Sequence, residues 1–171
     1  MWKKTRRILK IVMIVVLVAA GLIIGYFATI IVINSNRNYT PPVTDTLAVT
    51  EGRKAWLFSD ENISMISWNI GYCGLGKEMD FFYEGGKKMR PDKDLYKSYL
   101  NSVFNIVSAM DSVDFLLLQE VDFNARRTFY SHQDSSLMQA LPDFSSAKAV
   151  NYDVPYEPFP LFNPMAKVYS G

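Results

Sequence analysis

The chain has 171 residues, a formal net charge of +1 and a pI near 7.8. So even a balance excludes a molecule that is basic all over and binds nucleic acid by charge alone. Cys73 is the only cysteine, which excludes an intramolecular disulfide and a cysteine-based zinc site; it reads as a structural residue.

Ile11 to Ile33 carries no charged residue. As a helix it is about 35 Å long, enough for a hydrocarbon core of about 30 Å with some tilt. Val and Ile are mediocre helix formers in water, but in lipid the backbone must satisfy itself, which forces a helix. Lys3, Lys4, Arg6, Arg7 and Lys10 precede the run, and the first charge after it is Arg37. The asymmetry predicts a single-pass protein: 1–10 a cytoplasmic basic segment, 11–33 the transmembrane helix, the rest extracytoplasmic. A cleaved signal peptide begins in the same way, but its apolar core is usually about 7–15 residues. Val18-Ala19-Ala20, a passable cleavage site, lies inside the run, so an uncleaved anchor is the preferred reading. Gly21 and Gly25 make a G-x-x-x-G, which small residues in a lipid-facing helix explain without a packed partner.

Residues 34–60 are polar and carry Pro41-Pro42, the composition of a linker or stalk. Asn38-Tyr39-Thr40 is a glycosylation sequon with meaning only in a eukaryotic secretory pathway. Trp56-Leu57-Phe58 reads as the first element to touch the folded domain, which is set at 61–171. Ile63–Ile70 is rich in β-branched and aromatic residues and predicts a buried strand. A glycine-punctuated loop follows from Gly71 to Pro91, and long loops are often functional. The apolar spacing of Leu95, Tyr99, Val103, Ile106, Val107 and Met110 predicts a helix over 94–110, capped by Asp92 or Asp94. Phe115 to Leu118 predicts a central strand covered on both faces. A second helix is expected from Ser131 to before Pro142, a strand over Ala147–Tyr152, an irregular loop through Pro155, Pro158, Pro160 and Pro164, and another strand from Ala166.

Strand, helix, strand is a βαβ unit, which makes the two strands parallel and puts their C-terminal ends at one edge, where α/β folds bind ligands. Asn69 ends the first strand and Glu120 the second. A carboxylate suits Mg²⁺, a hard cation that prefers oxygen and keeps several waters. An amide positions a phosphate or a coordinating carboxylate without adding charge. Alone, such a pair is weak evidence, because a polar residue ending a buried strand is usually just meeting solvent.

The words around the pair carry more. Ser67-Trp68-Asn69-Ile70, followed about fifty residues later by Leu118-Gln119-Glu120-Val121, resembles the opening motifs of the endonuclease/exonuclease/phosphatase (DNase I-like) superfamily. Met79-Asp80-Phe81-Phe82, Gly85-Gly86-Lys87, Asp122 through Gln133 and Ala149 through Asp153 resemble a membrane-anchored bacterial branch. The resemblance implies the first half of a two-sheet α/β sandwich and hydrolysis of phosphodiesters or phosphomonoesters. It implies Mg²⁺ or Mn²⁺ as cofactor, Glu120 as the metal ligand and Asn69 as a catalytic polar residue. Arg127, just beyond the Glu120 strand, suits bidentate contact with a substrate phosphate. Lys87, Lys88 and Arg90 read as a solvated cluster. His132, the one histidine, reads as a polar residue at a helix start, since the family's catalytic histidines belong to later motifs.

Those later motifs, a Gly-Asp followed by an Asn and a terminal Ser-Asp-His, are absent from the sequence. The expectation is therefore a fragment of a phosphoesterase, inactive alone, that needs a complementing C-terminal segment as well as the lipid bilayer as partners. The alternative is a non-catalytic membrane-anchored binding protein on the same half-fold.

Overall fold

The computed structural model describes residues 2–37, 39–54, 62–110 and 112–171. Trp56-Leu57-Phe58 and Asn38 of the sequon lie outside the described residues. The chain divides into two compact units, Met1–Asn38 and Tyr39–Gly171.

The first unit is one helix, α1 (Trp2–Ser35), long and apolar enough to cross a membrane. At 34 residues it is roughly 50 Å long by helical rise, so the basic segment continues the same helix. Arg6 folds back over the Trp2 ring, 4.5 Å from its centre. Thr29 Oγ1 donates to the Gly25 carbonyl at 2.8 Å, satisfying a hydroxyl within its own helix.

Among the described residues, the second unit mixes helices with three two-stranded sheets. β1 (Val49–Thr50) pairs antiparallel with β4 (Ser146–Ala147), β2 (Met65–Asn69) parallel with β3 (Phe115–Gln119), and β5 (Tyr152–Glu157) antiparallel with β6 (Ala166–Ser170). Helices α2 (Lys93–Ser108) and α3 (Gln133–Ala140) complete it. Part of the expected linker thus belongs to this unit. Besides β1, Gly52 N donates to Ser145 Oγ at 3.0 Å, Arg53 N to the Pro142 carbonyl at 2.9 Å, and Lys54 Nζ lies 2.6 Å from Asp143 Oδ2.

β2 and β3 run parallel over five register pairs, Met65↔Phe115 to Asn69↔Gln119. Their starts are tied by Asp114, whose Oδ2 accepts from Ser64 N at 2.7 Å and Ser64 Oγ at 2.6 Å. Those hydrogen bonds hold the Asp114 carboxyl below its ordinary range. The inner face, Trp68, Leu116 and Leu118, packs on a core of Ile70, Cys73, Tyr96, Val107, Val121, Phe123 and Leu137. Cover on both faces of β3 is corrected: Met65, Phe115 and Leu117 are 59%, 39% and 45% exposed. A continuous apolar run encodes a strand with two dry faces, and no described element lies over the second.

Asp92 caps α2 through Oδ1, which accepts from Asp94 N at 3.1 Å and Leu95 N at 2.9 Å. The buried stripe is Tyr96, Leu100, Val103 and Val107, whereas Ile106 is 47% exposed. The face is rotated from the expected one because two tyrosines decide it by their tips. The Tyr96 hydroxyl meets Ser131 and Gln133 inside, and that of Tyr99 bonds Glu78 at the surface. The strand expected at Ala147–Tyr152 is displaced to Tyr152–Glu157 and includes Pro155. Its register shifts between Val154 and Glu157, an extra residue that accommodates a proline with no N–H for the ladder.

Residues 60–171 expressed alone lose β1 and keep the exposed apolar face of β2 and β3, so that piece is expected to be poorly soluble or loosely packed. Proton NMR and a thermal scan check this; native-like dispersion with a cooperative melt would be the contrary result.

Candidate functional site

Asn69 is the last residue of β2, and Glu120 directly follows β3. Parallel pairing brings these ends together, and Asn69 Nδ2 donates to Glu120 Oε1 at 2.9 Å. Asn69 Oδ1 accepts from Gly71 N at 2.8 Å, which fixes the amide's orientation. Beside the pair, Gln119 Nε2 donates to Ser67 Oγ at 2.9 Å. Glu120 Oε2 takes no hydrogen bond from a described side chain.

The turns that follow both strands are left-handed. Glu120 has φ +55°, and Gly71, Tyr72 and Cys73 have φ +52°, +42° and +52°. For residues other than glycine this region costs about 1–2 kcal/mol each, so the surroundings must hold it. The two turns bond each other: Ile70 N donates to the Gln119 carbonyl at 3.0 Å and Tyr72 N to the Glu120 carbonyl at 2.9 Å. Tyr72 and Cys73 are buried, 1% and 2% exposed. Burial pushes the Tyr72 hydroxyl well above the tyrosine range, with the Arg127 charge opposing and Glu120 and Asp122 adding to the rise. Burial also pushes the Cys73 thiol up to about 12, aided by Asp122.

Behind Glu120 lies Asp122, with no exposed surface. Its carboxylate is met by a fork: Arg127 Nη2 donates to Oδ1 at 2.8 Å and Arg127 Nε to Oδ2 at 3.0 Å. The same Nε also reaches Oδ1 at 3.3 Å, and Thr128 Oγ1 adds a further bond, to Oδ2, at 3.0 Å. The same guanidinium lies over the Tyr72 ring, 3.8 Å from its centre. Gln133 makes a parallel tie: Asp122 N donates to its Oε1 at 2.8 Å, and its Nε2 donates to the Tyr72 carbonyl at 2.8 Å. Arg127, expected at a substrate phosphate, is 12% exposed with its fork on Asp122.

Of the other cations, Arg90 donates to the Arg126 carbonyl at 2.9 Å and sits over Phe129, while Lys87 and Lys88 are exposed. His132 occupies the residue before α3 and makes no side-chain cap bond. It lines a cleft of about 430 Å³ with Asp153 and Lys167 of the β5–β6 hairpin; neither Asn69 nor Glu120 lies there. Sequence reasoning missed Tyr72 and Gln133. Only Asp122, Arg127 and Thr128, within one short stretch after the strand, signalled an internal ion pair.

Metal fit is set by donor chemistry. Among the described residues no three His, Cys, Asp or Glu side chains converge. Glu120 offers one carboxylate oxygen beside the one that Asn69 holds, and Mg²⁺ is often bound by one or two carboxylates with water filling its shell. The open Glu120 oxygen suits a cation of that kind and not one that demands a protein cage, and Asn69, with Oδ1 on Gly71 N, adds no oxygen to it. No protein-family model, curated protein or solved structure matches this chain.

A buried thiol with its ionisation pushed to about 12 is almost wholly neutral at pH 8, and the thiolate is the nucleophile. Cys73 is therefore expected to resist a thiol reagent at pH 8 in the folded chain and to react within minutes in denaturant. Rapid labelling of folded protein, read by mass spectrometry, would contradict its burial.

Proposed function

We propose that this chain is a membrane-anchored, metal-dependent phosphoesterase of the endonuclease/exonuclease/phosphatase type, carrying the first half of a DNase I-like two-sheet α/β sandwich. The observation that carries the reading is the Asn69 Nδ2–Glu120 Oε1 bond of 2.9 Å at the paired ends of two parallel strands. It joins the two residues singled out by the SWNI and LLLQEV words.

In this reading Glu120 holds Mg²⁺ or Mn²⁺ through its free oxygen, and the ion supplies positive charge for phosphoryl oxygens. Asn69 works on Glu120: its amide occupies one carboxylate oxygen and leaves the other outward. Because Asn69 Oδ1 is held by Gly71 N, the amide cannot turn over without losing both bonds. The substrate is a phosphate ester, and the bilayer is the partner of α1. The basic residues before Ile11 support a cytoplasmic N-terminus with the second unit outside.

Manganese, as a paramagnetic stand-in, tests the site on the full chain in detergent. Glu120→Gln keeps the shape and removes the charge. It is expected to weaken Mn²⁺ binding by more than about 100-fold, beyond the usual cost of an outer-shell change, as read by electron paramagnetic resonance. In a protein carrying the whole domain it should abolish Mg²⁺-dependent phosphodiester hydrolysis; retained hydrolysis sinks the assignment. Folded chain that binds no Mn²⁺ supports a non-catalytic anchored binding protein instead.

The anchor has its own check. The full chain should stay with membranes after alkaline carbonate washing, and release of intact protein by that treatment would exclude a spanning helix.

A further inference from the structure

The site's two side chains stand at the mouths of turns that their sequence does not favour. Glu120 and Tyr72 both hold positive φ without being glycine, and Asn69 and Glu120 are exposed or half-buried at a sheet edge. What fixes these turns lies one layer deeper. Asp122 is two residues beyond Glu120, and Tyr72 three beyond Asn69. Arg127 touches both, with its fork on the Asp122 carboxylate at 2.8 and 3.0 Å and its flat face 3.8 Å from the centre of the Tyr72 ring. Gln133 joins the same two residues through their backbones, at 2.8 Å to each.

We infer that Arg127 is a positioning residue, which sets the spacing of the two post-strand turns by clamping Asp122 to Tyr72 and so aims Asn69 and Glu120 at one point. The inference builds on the reading of Glu120 as a metal ligand oriented by Asn69. It assigns Arg127 a role inside the protein, where its plane and its fork are both used.

A planar fork and a point charge differ here. Lys can neutralise Asp122 but cannot bond both carboxylate oxygens while covering a ring. Arg127→Lys is therefore expected to loosen the turns even where the domain stays folded. Because an unpaired buried carboxylate can unfold a domain, the companion variant is Asp122→Asn with Arg127→Met, which removes both charges together.

Two readouts on the full chain in detergent separate the possibilities, with circular dichroism and melting to show that each variant is folded. The first needs no metal: the Asn69 side-chain amide protons, assigned by their loss in Asn69→Asp, report the bond to Glu120 by NMR. In both variants their hydrogen exchange should quicken by roughly tenfold or more. The second is Mn²⁺ affinity, expected to fall by roughly 10–100-fold, as for other groups that orient a ligand. A folded double variant whose Asn69 amide signals match the unaltered chain overturns the positioning role, whatever the Mn²⁺ result. Quickened exchange in a protein that never binds Mn²⁺ upholds the positioning and rejects the metal reading.

Discussion

Asp122 has no access to water, so its charge has to be answered inside the protein. Hydrogen bonds from Arg127 and Thr128 do this. Such a pair adds little net stability against an apolar replacement, but breaking it by losing one partner costs about 3–5 kcal/mol. Its value is in what it forbids. A domain that packs Asp122 anywhere except beneath Arg127 leaves a bare charge in the core. The segment after β3 therefore has one way to lie, and Glu120 two residues earlier inherits that constraint.

The same logic reaches the loop after β2. Three successive residues at positive φ, only the first of them glycine, are unfavourable in isolation. Tyr72 offsets this with a buried ring under Arg127, an amide bonded to the Glu120 carbonyl and a carbonyl bonded to Gln133. Cys73 does so by filling the core beside Ile70 and Val107. Local strain at strand ends persists only where surroundings over-determine it, and here two clamps and two direct backbone bonds converge on one pair of turns.

Much of this was legible in the sequence, and the division has physical causes. Parallel strands with a helix between them follow from apolar runs and periodicity, so the meeting of Asn69 with Glu120 was predictable from topology. The Asp92 cap was readable because a cap is local. Which face of α2 is buried was not, because Tyr96 goes inward only if Ser131 and Gln133 receive its hydroxyl, and both are far along the chain. β1 was hidden for the same reason: two residues at the end of a polar stretch, Val49 and Thr50, pair with Ala147 and Ser146. The reading of Phe115–Leu118 as doubly covered took composition at its word, while burial depends on what else is present to pack.

A two-stranded sheet is marginal by itself, and β2–β3 has one apolar face open. Its stability must come from its ends and its inner face. At the start of the strands Asp114 and Ser64 cross-link the pair; at the finish Gln119 reaches Ser67 and Asn69 reaches Glu120. The last of these bonds is also the one assigned to function. In the proposed reading, in which Glu120 shares its carboxylate with a cation, the same bond would also hold the strand ends together, which would leave the site fragile were it the only tie. The deeper tie through Arg127 and Gln133 removes that conflict. It joins the two turns independently of the Asn69–Glu120 bond, so in that reading Glu120 would change partners without the strands separating.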